Sequence, residues 1–124
     1  MDPTIVPTLR RLERSRFRAK FFLSEGDLAY CRARGRDTVT EHAVRFVTER
    51  LAPAQPHKDG KQTPWRGHPV FVAQHATATC CRGCIAKWHG IERGRELEPE
   101  EIARLVELIL AWLTAQLTRD ANRR

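Results

Sequence analysis

Pro99-Glu-Glu-Ile-Ala-Arg-Leu-Val-Glu-Leu-Ile-Leu-Ala-Trp-Leu-Thr-Ala-Gln-Leu-Thr118 is the longest uninterrupted periodic stretch of the chain, and it reads as an α-helix. Pro99 suits a first helical position, where its missing N–H costs nothing, and Glu100 and Glu101 place negative charge in the first turn. Ile102, Leu105, Val106, Ile109, Trp112, Leu113 and Leu117 recur on one face, and they are the surface against which the rest of the chain is expected to pack. Leu108 and Trp112 fit either that core or the face of a partner chain. The apolar run Leu108–Leu113 is far shorter than the roughly 20 residues that span a bilayer, so no membrane segment is expected.

Working back toward the N-terminus, the pattern stays helical. Thr38-x-x-Glu41 has capping-box spacing and opens a helix carrying Val39, Ala43, Val44, Phe46, Val47 and Leu51, which Pro53 stops. Ser24 caps an earlier, short helix with Leu28, Ala29 and Cys31 inside and Gly35 past its end; Cys31 reads there as a small buried residue. Between 52 and 67 the chain is rich in turn formers and too long for a simple connector. Pro69–His75 is apolar and short, open between a buried strand and a helix, and a further helix is expected from Thr77 or Thr79 to Gly90. The expectation is one mainly α domain over 1–124, with four to five helices, one long ordered loop and at most one short strand. Residues 1–8 and 120–124 are expected to be loosely ordered.

The chain has 124 residues, 22 Lys+Arg against 15 Asp+Glu, and a formal charge of +7. That length excludes a two-domain enzyme. Four cysteines, three of them in Cys80-Cys81-x-x-Cys84, do not resemble a secreted disulfide framework, and a cytoplasmic location is the expectation.

His75, Cys80, Cys81, Cys84 and His89 fall within fifteen residues, and thiolates with imidazoles are the preferred ligands of zinc. On a helix, Cys80 and Cys84, or Cys81 and Cys84, would share a face. His75 is then the better third ligand; His89 would need an unwound last turn, and His68 or His42 are further candidates. Two other readings stand beside this one. The cysteines pack as small hydrophobes, or one of them, at a helix N-terminus beside Arg82, is a reactive thiol in a small enzyme. Cys81-Arg-Gly-Cys84 also matches half of a zinc-deaminase signature, but Val44 stands where the proton-shuttling acid after His42 should be.

Asp59, Lys61, Gln62, Arg66, His68 and Gln74 supply enough donors and acceptors for a candidate pocket if the 59–68 loop folds over the cysteines. Asp59-Gly-Lys-Gln-Thr63 lacks the spacing of a P-loop. Arg10, Arg11, Arg14, Arg16, Arg18 and Lys20 form the strongest local charge bias, and with Trp65 as a stacking platform they make nucleic acid the candidate partner.

The run from Asp59 to Gly90, with Thr63-Pro-Trp-Arg-Gly-His-Pro-Val-Phe-Val-Ala-Gln-His75 and Cys80-Cys-Arg-Gly-Cys-Ile-Ala-Lys-Trp-His-Gly90, resembles the bacterial domain of unknown function 4186 family. Arg14-Ser-Arg-Phe-Arg18, His42, Phe46, Arg50-Leu-Ala-Pro53, Gly94-Arg95 and Leu97 extend the resemblance over nearly the whole chain. It implies no activity and no catalytic residues. Phe22 departs from it, since a histidine is expected after Phe21.

Overall fold

The structure, a computed structural model, describes residues 2–123. Among them the chain forms seven helices and no strand: α1 (Ile5–Glu13), α2 (Arg16–Ala19), α3 (Glu25–Arg34), α4 (Arg36–Arg50), α5 (Pro69–Ala76), α6 (Arg82–His89) and α7 (Pro99–Arg123). The mainly α class expected from the periodicity is correct, and the helix count is higher because the basic first part divides in two at Ser15, the N-cap of α2, and because Pro69–Ala76 is itself a helix.

The long α7 packs on α1, α4 and α5, burying Leu105, Val106, Leu108, Ile109 and Leu113, with Ile102, Trp112 and Leu117 half-buried at the margin. Leu108 is therefore core. Short α5 lies at the centre and touches α2, α3, α4 and α7. All eight of its residues are buried, which explains the missing amphipathic signal: a helix enclosed on every side has no polar face to set a period. His68 caps it, its Nδ1 accepting from Val70 N–H at 3.0 Å, and Pro69 follows at the first helical position. That start decides Pro69–His75 as helix rather than strand.

Ser24 caps α3 by accepting from Asp27 N–H at 3.1 Å, and Cys31 lies in the core, as expected. Gly35, at φ +84°, ends α3 and begins α4 at Arg36, so the Thr38 capping box does not form. Residues 5–8 belong to α1, and Ile5 is fully buried. At the other end α7 continues to Arg123; expectations for residues 1 and 124 fall outside the described residues. No described helix is long and apolar enough to cross a membrane.

The 52–67 segment is an ordered loop tied down at several points. Leu97 N–H donates to the Ala52 carbonyl, Asp59 pairs with Arg93, and the Gln62 carboxamide closes the turn onto Gly60 N–H and Asp59. Thr63 Oγ1 donates to the Cys80 carbonyl at 2.7 Å, which brings the loop against the cysteines.

Candidate metal centre

The turn between α5 and α6 delivers the first cysteine. Thr77 Oγ1 donates to Ala73 O at 2.8 Å and meets Thr79 Oγ1 at 3.0 Å, while Gln74 Nε2 donates to Thr79 O at 3.2 Å. These hydroxyls are fully buried in the turn and do not cap a helix, so α6 starts later than the sequence suggests. Ala78 takes φ +57° inside the same turn, a conformation that costs an L-residue about 1–2 kcal/mol and must be held by its surroundings.

Cys81 is the N-cap of α6, its extended backbone letting Sγ accept from Cys84 N–H at 3.4 Å. Cys80 precedes the helix, so the cysteines are not spaced along one helical face. The turn, the cap and the first helical turn nonetheless bring all three sulfurs within 4.8 Å of one another, a group able to hold a metal ion. Tetrahedral zinc with Zn–S bonds of about 2.3 Å needs sulfurs about 3.8 Å apart, a distance this cluster accommodates.

Arg18, on α2, completes the surroundings of the cluster. Only 8% exposed, it donates to the His75 carbonyl at 2.7 Å, to Cys80 Sγ at 3.7 Å and to Cys84 Sγ at 3.1 Å. Hydrogen bonds from the Cys80 and Cys81 thiols, and then from Arg18, hold the Cys84 thiol far below its ordinary range. The reciprocal bonds to Cys81 and Cys84, with burial, push Cys80 up. The bonding thus favours the ionised form at Cys84 over Cys80. The run of basic residues gave no sign that Arg18 differs from Arg16 or Lys20. Arg82, read from the sequence as the cationic neighbour of the cysteines, instead sends its guanidinium to the carbonyls of Leu51, Pro53 and Glu92.

Neither histidine joins the three sulfurs. His75 lines the same cleft as the cysteines, with Nε2 on Pro64 O at 3.2 Å, Trp65 stacked on its ring at 4.0 Å and Nδ1 buried without a partner among the described residues. Burial lowers its pKa. His89 places Nε2 on Thr77 O at 2.8 Å, with Nδ1 again without a partner among the described residues, but does not line the cleft.

The candidate pocket is only partly assembled. Lys61 lines the cleft with Thr63 and Trp65. Asp59 is taken by Arg93, Gln62 closes its own turn, Arg66 is exposed and Gln74 is buried against Thr79. His68 belongs to a different cluster. Because its Nδ1 accepts from Val70, its Nε2 carries the proton and donates to His42 Nδ1 at 2.9 Å, with Tyr30 OH 3.4 Å from the same nitrogen. Of the basic residues, Arg11 donates to Trp88 O and lies over the Trp88 ring, while Arg10, Arg14, Arg16 and Lys20 are exposed.

Burial, with help from His42 and Arg45, lowers the pKa of His68 to about 4, and burial lowers His89 to about 4 as well. Both rings are neutral when folded and take up a proton near pH 6.5 when unfolded, so the unfolded chain binds more protons between pH 6.5 and 4. Stability is therefore expected to fall as pH drops through that window, by less than about 1.4 kcal/mol per pH unit for each ring, since water partly reaches both. Urea unfolding at stepped pH measures the slope. His68→Asn, which keeps a capping acceptor for Val70, should flatten it; an unchanged slope would show that His68 is not responsible.

The family model described as Domain of unknown function (DUF4186) matches residues 7–114. No solved structure matches the chain. The matched span takes in most of α1, all of α2 to α6 and most of α7, with the whole cysteine cluster and its arginine, and on that match the chain belongs to the DUF4186 family.

Proposed function

We propose that this protein is a small zinc-binding module that works on nucleic acid, with Cys80, Cys81 and Cys84 as three ligands and His75 Nδ1, which lines the same cleft but lies outside the sulfur group and must close on the ion, as the fourth. The observation that carries the reading is the convergence of three sulfurs within 4.8 Å beneath a buried arginine. Three thiolates and one imidazole around a divalent ion carry a net charge of −1, and Arg18, already bonded to two of the sulfurs, neutralises it. His75 supports the set because its Nε2 is spent on a backbone carbonyl while Nδ1 has no partner among the described residues, the pattern of metal-ligating histidines. Nucleic acid as the partner follows from the net charge of +7 and from the exposed Arg10, Arg14, Arg16 and Lys20.

Elemental analysis of the untagged full chain tests the metal. About one zinc per chain is expected, retained by Cys31→Ser and lost in the Cys81→Ser/Cys84→Ser double variant. A metal-free native protein, or a double variant that keeps its zinc, overturns the reading.

A second reading, thiol chemistry, is favoured by Cys81 at the helix cap and Cys84 three residues on, with sulfurs close enough to pair. It predicts a metal-free chain in which one cysteine is alkylated by iodoacetamide far faster than Cys31.

A further inference from the structure

Trp65 is 61% exposed, which is unusual for the largest side chain in a small domain, yet it is firmly held. Its ring lies 4.0 Å from His75 with only 11° between the planes, Phe21 is parallel to it at 6.3 Å, and Phe17 meets it edge-on at 6.2 Å. The backbone on its N-terminal side is pinned at two points, by the His75 ring on Pro64 O and by Thr63 on Cys80 O. The indole is a fixed surface, and its exposure is not that of a mobile loop tip.

That surface lines the cleft of about 530 Å³ beside the cysteines. The volume suits one small ligand, at roughly 300–1,000 Å³ for such sites. Among the described residues no carboxylate lines the cleft, and its two cations are Arg18 and Lys61. Arg18 is committed to the sulfurs, which leaves the exposed Lys61, in no ion pair among the described residues, to face an incoming anion. Lys20 adds positive charge at the aromatic corner, its Nζ 4.4 Å from the Phe17 ring centre and 5.5 Å from that of Phe21. A ligand that fits has a flat face for Trp65 and a negative group within reach of the lysines.

We propose that this cleft binds an unpaired nucleotide of single-stranded nucleic acid, with the base stacked on Trp65 and the adjacent phosphate at Lys61. The proposal deepens the nucleic-acid reading above and does not depend on which metal the cysteines hold. A duplex does not satisfy the site, because its bases already stack on one another and do not offer a face to an indole.

The test is fluorescence anisotropy on the full chain with labelled oligo-dT and oligo-rU about 12 nucleotides long, in about 50 mM salt, beside a duplex of the same length. Single strands are expected to bind more tightly than duplex, and binding should weaken as salt rises. Trp65→Ala should weaken single-strand binding about five- to a hundredfold, while Trp65→Phe stays within about threefold. Zinc content of each variant is measured alongside, so that loss of binding with the metal retained is separated from failure of the metal centre. Absence of binding at low salt, equal affinity in Trp65→Ala, or a duplex bound as tightly as the single strand overturns the proposal. So does free nucleoside monophosphate binding as tightly as the strand, because the ligand would then be the small molecule.

Discussion

Arg82→Met is expected to destabilise the protein by about 3–5 kcal/mol, a large part of the roughly 5–15 kcal/mol available to a domain of this kind. The side chain is 1% exposed, and among the described residues no carboxylate bonds to it. One terminal nitrogen donates to Leu51 O and Pro53 O at 3.1 Å each, and the other to Glu92 O at 2.8 Å. A single guanidinium thus joins the end of α4, the start of the long loop and the segment after α6. Methionine fills much of the volume but donates nothing, so three carbonyls lose their donor together, and each hydrogen bond from a charged group is worth about 1.5–3 kcal/mol. Lysine recovers only part of the loss, because one ammonium cannot span three acceptors that a planar fork reaches. The urea midpoint and the thermal midpoint read the effect, with a fall in Tm of about 10–20 °C for Arg82→Met. A loss below about 1 kcal/mol would mean that water replaces the arginine at those carbonyls.

Arg18→Met is expected to lower zinc affinity about 10- to 100-fold while leaving one zinc bound per chain at saturation. Its guanidinium donates to Cys84 Sγ and Cys80 Sγ and also holds the His75 carbonyl, so the substitution removes both a counter-charge for the thiolates and a support for the proposed nitrogen ligand. Arg18→Lys retains the charge without the fork and should lie between the two. Competition against a chromophoric chelator gives the affinity, and thermal unfolding of the same samples separates a metal effect from a general loss of structure. Unchanged affinity in Arg18→Met would remove the arginine from the metal centre.

How far these outcomes were readable from the chain differs by element. Pro99 with Glu100 and Glu101, Ser24 with its cap, and Gly35 and Gly90 past their helices act through the backbone within a few residues, and each is found where the local rules place it. The Thr38 box fails because Gly35 has already turned the chain into α4. Thr77 and Thr79 fail as helix starts because burial draws their hydroxyls into one turn, and a sulfur caps α6 in their place.

At the centre, the spacing of Cys80, Cys81 and Cys84 within five residues was enough to mark a candidate metal site, since so short a stretch keeps its sulfurs near one another whatever its exact backbone. The helical class followed likewise from periodicity, and the family from runs of residues read along the chain. Which partners those residues take is another matter. Arg18 reaches sulfurs 62 and 66 positions away, Arg82 reaches a carbonyl 31 positions back, and His68 turns to His42, 26 positions away, and not to the cysteines. Only the packing of α2 and α4 against α5 decides among equivalent basic side chains, because a hydrogen bond between distant residues exists only once the helices carrying them have met.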